Sequence, residues 1–388
     1  MTARRLGWGG VALALVAFFI TLPPLHVRTA IPTILLCLVA LGLGVASLRT
    51  GDERRPGWFA IVVAVLCAVL GWAATTAALT ELEAVVSWGA LTAAMLRFAT
   101  PLIFAGLGGL VSERAGVVNI GLEGMMLMGA FFAAWGAHVT DSWVLGIVIG
   151  VLSGMALATI HAVWAVSMRA DQIVSGTAIN FMALGITGYL YVDIFGTEGT
   201  PDDLPQVPEI SLGTGDLGFL GRAIENQNLL VWGALLGVLL VYIIVFRTRY
   251  GLRLRAVGEN PKASETVGVN VYRMRYAAVI ASGGLAALGG AFLSIGFVHS
   301  FTQNMTACRG FIALAAVIFG RWHPKGLLFA TLLFGFSSAL AQRLPEFSPQ
   351  AATLFQALPY VLTLIAVAGI VGLSRPPASD GVPYRRED

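Results

Sequence analysis

Charge is scarce in this chain. Only 12% of its 388 residues are Asp, Glu, Lys or Arg, where a soluble domain carries about 25%. That deficit excludes an ordinary water-facing surface. With a net charge of only +3 there is also no basic face of the kind that binds nucleic acid. Cysteine is scarce too. Cys37, Cys67 and Cys308 lie in or beside apolar runs at no metal-ligand spacing, which makes them packing residues. Catalytic signatures are missing: the chain has no HExxH, no GxSxG and no Cys-His pairing. It also lacks GxxxxGK[ST], so it cannot hydrolyse ATP through a P-loop of its own. The five histidines are scattered, and His161, inside an apolar run, reads as a hydrogen-bonded packing residue.

Apolar runs fill the space that charge leaves. Hydrophobic residues make up 57% of the chain, and the mean hydropathy is +0.81. Spans are expected at about 7–25, 30–48, 58–79, 88–111, 117–138, 143–167, 172–195, 229–247, 276–298, 308–320, 326–343 and 353–373. The tenth has only about thirteen residues against the roughly twenty that a crossing needs, so it is expected to be broken or re-entrant. Arg4 and Arg5 precede the first run, but no small-x-small cleavage site follows, and the run reads as an uncleaved span. The expected fold is all-α, a polytopic transmembrane bundle of about 10–12 spans with an inverted-repeat core.

Lys and Arg set the orientation. Arg4, Arg5, Arg49–Arg55, Arg114, Arg169, the 247–275 loop, Arg321, Lys325 and Arg375–Arg386 fall on one side if every span crosses. The opposite side holds 196–228, with six acidic residues and one Arg, which reads as an external cap. Both termini are thereby expected in the cytoplasm. The polar tail after Leu373, SRPPASDGVPYRRED, is expected to be disordered. Gly146, Gly150 and Gly154 form a small-residue stripe suited to close helix packing within the chain. LIFAGLGGLV (102–111) and GLAALGGAFL (284–293) resemble each other in spans of opposite direction, as inverted repeats require.

The segment 247–275 holds seven Lys or Arg and two Glu between two spans. Its middle encodes one short helix. Asn260 suits an N-cap, Pro261 the first helical position and Gly268 the stop, and Asn270 restarts the next helix. Arg253, Arg255 and Lys262 are placed to meet acidic residues or lipid phosphates.

Polar residues inside the spans mark three places. Asn119 and Glu123 are four apart, expected on one helical face. A carboxylate at membrane depth costs about 2.5–3.5 kcal/mol, so Glu123 either lines or gates a path with Asn119, or sits near the cytoplasmic interface and caps or pairs locally, with Arg114 as a candidate partner. In 171–190, Asp171 suits a cap, Gln172, Ser175 and Ile179 follow one stripe, and Gly176 and Asn180 the next. Their amides and hydroxyls suit either a neutral, hydroxyl-rich solute or hydrogen bonding between helices. Gln303, Asn304, Thr306 and Arg309 fall in an expected outer loop, either a mouth or a plain solvated turn.

Four stretches carry a family resemblance. AVGENPKASETVGVNVYRMRY (256–276) resembles the cytoplasmic coupling loop of bacterial ABC importer permeases of the branched-chain amino acid and ribose group. AGVVNIGLEGMMLMGAF (115–131) and DQIVSGTAINFMALGITGYL (171–190) are similar to its nucleoside branch, and GFIALAAVIFGRWHPKG (310–326) also fits. The resemblance implies additional N-terminal spans over 1–57, a permease core over 58–373 and a tail over 374–388. It implies ATPase contact through Glu259, Asn260, Pro261, Ala263, Glu265 and Gly268, and a path near Asn119, Glu123, Gln172, Ser175, Asn180 and Asn304. The implied partners are ABC ATPase subunits, a second related permease and a lipoprotein substrate-binding protein in the bacterial plasma membrane. ATP and Mg would be bound by the ATPase, and no cofactor by this chain. Ribose-type sugars or branched-chain amino acids are alternative cargoes. The alternative of another class is an ion-coupled secondary transporter, for which only Glu123 is a candidate coupling residue. An intramembrane enzyme acting on lipid lacks any matching acid–base or metal constellation.

Overall fold

The computed structural model describes residues 3–20, 30–50, 55–76, 88–196, 199–201, 204–214, 218–343 and 375–385. The expected span at 353–373 lies outside the described residues. The chain divides into two compact units. Within residues 1–90, α1 (Ala3–Phe19), α2 (Ala30–Thr50) and α3 (Arg55–Thr76) pack on one another. Ala14, Ala17, Ala40 and Ala64 are fully buried, with Cys37 and Cys67 in the same cluster. Small side chains let the helix backbones approach, which is how helices associate where lipid offers no hydrophobic drive. The boundary expected at residue 57 falls inside α3, which packs with the first two helices.

The second unit begins at Leu91. Its helices are α4 (Trp88–Arg114), α5 (Leu122–Thr140), α6 (Trp143–Ala162), α7 (Gln172–Phe195), α8 (Gly218–Ile224), α9 (Leu229–Arg247), α10 (Arg249–Glu259), α11 (Pro261–Thr266), α12 (Val271–Ala291), α13 (Arg309–Phe319) and α14 (Pro324–Arg343). π-helical turns extend α6 through Ser167 and α12 through Val298. Among the described residues, seven helices are long and apolar enough to cross a membrane. This is a multi-pass, all-α bundle with one small β-ribbon.

α5 is the central element. Fourteen of its nineteen residues are buried, and it packs on α6, α7, α12 and α13. The Gly146, Gly150 and Gly154 stripe of α6 lies against α5 and α12: a Cβ on Gly150 would meet the Gly129 carbonyl at 2.8 Å, and one on Gly154 the Gly283 carbonyl at 2.7 Å. The stripe is therefore a packing seam within the chain. The helices that carry the two related Gly-Gly segments also meet. A Cβ on Gly108 of α4 would lie 2.6 Å from the Ser282 carbonyl, and one on Gly289 of α12 2.9 Å from the Pro101 carbonyl and 3.4 Å from the Phe104 Cβ. Position rises on one helix as it falls on the other, so α4 and α12 cross antiparallel.

The 196–228 segment is anchored to the bundle. β1 (Glu209–Ser211) pairs antiparallel with β2 (Asn226–Asn228), Ile210 opposite Gln227. Val207 N–H donates to the Ile295 carbonyl at 3.2 Å, and the Asn228 amide to the Gly296 carbonyl at 2.9 Å, using carbonyls of the helix's last turn. Arg97 of α4 donates to the Asn226 carbonyl at 2.9 Å and pairs with Glu209 at 3.8 Å.

The C-terminal segment differs from expectation. Residues 375–385 are packed rather than disordered, with Tyr384 buried beside Val257 and Val271. The composition is polar, but backbone hydrogen bonds and one aromatic anchor hold it.

Close packing at α12 has a measurable consequence. A Cβ on Gly290 would sit 1.9 Å from the Met126 carbonyl, whereas one on Gly185 meets nothing within 4 Å. Gly290→Ala should lower the thermal unfolding midpoint in detergent, with an overpacking cost of about 1–3 kcal/mol. Gly185→Ala should leave it unchanged or slightly raised.

Candidate functional site

The polar residues of the second unit gather at two non-helical links, 115–121 between α4 and α5 and 299–308 between α12 and α13. α4 ends at Arg114, and α5 starts only at Leu122. Between them the chain runs non-helically, so Asn119 and Glu123 do not share a helix face as expected; Asn119 lies in the link and Glu123 in the first turn of α5. Gly116, at φ +83, turns the chain away from α4.

Side chains from α6 and α7 complete the backbone of this link. Gln172 Oε1 accepts from Val118 N–H at 2.8 Å. His161 Nε2 lies 3.3 Å from the Val118 carbonyl, and its Nδ1 lies 3.1 Å from Ser175 Oγ. Asn180 donates to the Ile120 carbonyl at 3.0 Å and accepts from Gly124 N–H at 2.8 Å. Asn119 donates to Ser282 Oγ of α12 at 2.9 Å. Backbone that leaves the helix inside an apolar bundle needs internal partners, and these side chains provide them. Asp171 caps α7, accepting from Ile173 and Val174 N–H at 2.8 and 3.0 Å.

Glu123 joins this link to the second one. Its Oε1 accepts from Cys308 N–H at 2.9 Å and its Oε2 from Gly310 N–H at 2.6 Å. The carboxylate thus caps the N-terminus of α13, where free N–H groups and the helix dipole favour a negative charge. Arg114 is not its partner; the guanidinium donates instead to the Trp322 carbonyl at 2.9 and 2.7 Å. α13 has 11 residues, about 16 Å of rise, roughly half a hydrocarbon core. Residues 299–308, which lead into it, are non-helical, so the tenth expected span holds a helix of only about half a crossing's length. His299, Asn304, Ala307 and Cys308 of that stretch all have positive φ. For Ala307 and Cys308 the left-handed conformation costs about 1–2 kcal/mol each. Arg309, expected in the loop, opens α13 and donates to the Met305 and Thr306 carbonyls at 3.0 and 3.1 Å.

The 247–275 segment is built as its capping residues indicated. Asn260 Oδ1 accepts from Ala263 N–H at 3.0 Å, Pro261 opens α11, and Gly268 follows its end at φ +84. Asn270 Oδ1 accepts from Arg273 N–H at 2.9 Å to start α12. Lys262, Ala263, Thr266 and Val267 are exposed, Val267 by 78%. Arg255 lies over the Phe246 ring at 5.1 Å, and Arg114 approaches the same ring at 5.4 Å. His323, at the turn into α14, is held below its ordinary pKa by burial and by the Arg114 and Lys325 cations.

Asn119, Gln172, Ser175 and Asn180 therefore converge on the link before α5, and Glu123 on α13. Of these, Asn180 is partly buried and the others are buried. Asn304 stands apart, exposed on the 299–308 link. Sequence reasoning missed Ser282 as the partner of Asn119 and the α13 N-terminus as the partner of Glu123. Neither pairing has a local signal, since the partners are more than 160 residues apart in each case.

An all-α, multi-pass bundle thus combines two non-helical links, an eleven-residue helix capped by a buried carboxylate and a capped short helix in a basic loop. The profile of the branched-chain amino acid transport system/permease component family matches residues 91–367. The chain belongs to that family. It is 40% identical over 308 residues to the guanosine ABC transporter permease NupQ of Bacillus subtilis, covering 74% of this chain and 94% of the relative. It is 40% identical over 306 residues to the nucleoside ABC transporter permease NupC of Lactococcus lactis, covering 75% and 95%. The putative glucose ABC transporter permease TsgC13 of Haloferax volcanii is 38% identical over 63% of this chain and 74% of its own. The same three organisms each have a second matching permease, at 25% to 28% identity. No solved structure matches.

The Glu123 cap can be probed through Cys308, which is exposed while Cys37 and Cys67 are buried. Glu123→Ala should leave two N–H groups short of their acceptor, at about 1–3 kcal/mol each. Cys308 should then react faster with a water-soluble maleimide and the unfolding midpoint should fall. Glu123→Gln, which keeps one acceptor oxygen, should give an intermediate result.

Proposed function

We propose that this chain is the permease subunit of an ATP-driven importer that takes nucleosides across the bacterial plasma membrane. The observation that carries this reading is its 40% identity to a guanosine permease and to a nucleoside permease, across nearly the full length of each. ATP and Mg are bound by separate ATPase subunits. A second, related permease chain completes the membrane channel, a pairing supported by the second matching permease in each relative's organism. A lipoprotein receptor delivers the nucleoside. Both termini and the 247–275 loop face the cytoplasm, a reading supported by the side on which Lys and Arg collect.

α11 is the contact for the ATPase. Closure of the ATPase dimer pushes on Pro261–Thr266, with Ala263 small enough for close docking and Glu259 and Glu265 set beside it. Asn260 and Gly268 define the ends of the helix that is pushed, and Asn270 passes the motion into α12. Within the bundle, Asn180 and Asn304 line the path, since neither is fully buried. Asn119, Glu123, Gln172 and Ser175 hold the wall behind them. The amide and hydroxyl chemistry suits a neutral, hydroxyl-rich solute passed on without tight capture.

The glucose permease relative favours a sugar cargo as the second reading. Cells expressing the complete transporter should take up labelled guanosine or uridine in competition with other nucleosides and not with ribose or glucose. Saturable sugar uptake that nucleosides leave untouched would transfer the assignment to sugars. Replacing residues 259–268 with a Gly/Ser linker should abolish ATP-driven uptake while the chain still inserts. Uptake that persists on a proton gradient alone would refute the ATP-driven reading.

A further inference from the structure

We infer that the C-terminal segment 375–385 is a brace that holds the short helix α11 in position, so that force applied to it reaches the bundle. This inference rests on the reading of α11 as the ATPase contact.

The segment touches four parts of the second unit. Ser379 N–H donates to the Gly258 carbonyl at 2.9 Å, and Ser379 Oγ to the Glu259 carbonyl at 3.1 Å. Ala378 N–H donates to Glu259 Oε2 at 3.2 Å. The Tyr384 hydroxyl donates to the Glu265 carboxylate on α11. On α12, Arg275 donates to the Val382 carbonyl at 3.0 Å, and Tyr272 packs against Tyr384 with ring centroids 5.7 Å apart. The link before α5 closes the fourth side. A Cβ on Gly116 would lie 2.9 Å from Arg275 Nη2 and 3.1 Å from the Ser379 carbonyl, and one on Gly258 would lie 2.2 Å from the Arg114 carbonyl. Gly381, at φ +75, turns the segment beside Val118.

α11 needs such support. It has six residues, of which only Ser264 is buried, and a helix of that length does not hold itself in water. Asn260 and Pro261 set where it begins but not where it sits. A loosely held helix would absorb a push by tilting. Tyr384 gives its far end a fixed point through Glu265, and the Ser379 contacts fix the end of α10 that leads into it. The grip comes from behind: Lys262, Ala263, Thr266 and Val267 stay exposed for a partner. A segment that blocked docking would cover those residues, so the arrangement is a support and not a brake.

The test compares two variants in the full-length chain and in the complete transporter. Tyr384→Ala should speed amide exchange over residues 261–268 in the detergent-purified chain by roughly tenfold or more, the effect of losing one hydrogen bond to a charged group. It should also lower substrate uptake at an unchanged membrane level. Val267→Asp, on the exposed face, should leave exchange unchanged and still lower uptake. Wild-type exchange in Tyr384→Ala overturns the brace, and so does uptake that rises above wild type, the behaviour of a released brake. Wild-type uptake in Val267→Asp overturns the coupling reading alone. If Tyr384→Ala reduces the membrane level, Tyr384→Phe keeps the ring and removes only the link to Glu265. Exchange faster than wild type is then expected, and wild-type exchange overturns the brace.

Discussion

Backbone that leaves the helix inside an apolar bundle must find every hydrogen bond within the protein. The second unit carries non-helical backbone at 115–121 and at 299–308, and the polar side chains around both segments meet that requirement. The Glu123 carboxylate, in the first turn of α5, closes the N-terminus of α13 by accepting from the Cys308 and Gly310 N–H groups. A buried carboxylate is costly in lipid, and two charge-assisted bonds at a helix N-terminus are the kind of partner that offsets the cost. The Glu123 cap adds to the Ala307 N–H bond to the Asn304 carbonyl and the Ile312 N–H bond to the Cys308 carbonyl in holding the left-handed residues Ala307 and Cys308.

The same requirement explains why amides and hydroxyls cluster on α6 and α7. Gln172, His161 and Asn180 bond to backbone atoms of the link, and Ser175 bonds to His161. These groups hold the link in one conformation.

Against the 115–121 link, the basic loop joins the bundle through α10, α11 and the C-terminal segment, a Cβ on Gly116 lying 3.4 Å from the Gly258 Cα. The charged residues there lie over aromatic rings or take backbone carbonyls: Arg255 over Phe246, Arg114 on the Trp322 carbonyl, Arg275 on the Val382 carbonyl. Planar guanidinium groups suit this work, because they stack and donate in several directions at once. Helices of six and eleven residues are thereby tied to the long helices that cross the bundle.

Much of this was legible in the sequence, for a physical reason: apolar length, caps and Gly/Pro stops are local. Span lengths, the Asn260–Pro261 start of α11, the Asp171 cap and the short tenth span needed no knowledge of what lies across the bundle. The motifs at 115–131, 171–190 and 256–276 pointed to the permease family for the same reason. Only the tertiary structure decided where the polar side chains go. Glu123 has a cation nearby in sequence yet bonds to a helix start 187 residues away. Asn119 is spaced to share a helical face with Glu123, but residues 115–121 are non-helical and the helix starts only at Leu122. The tail reads as disordered from its composition, yet it is held by Gly258, Glu259, Glu265 and Arg275, partners that composition cannot supply. Local rules determined the elements, and long-range hydrogen bonding in a low-dielectric interior decided how they are joined.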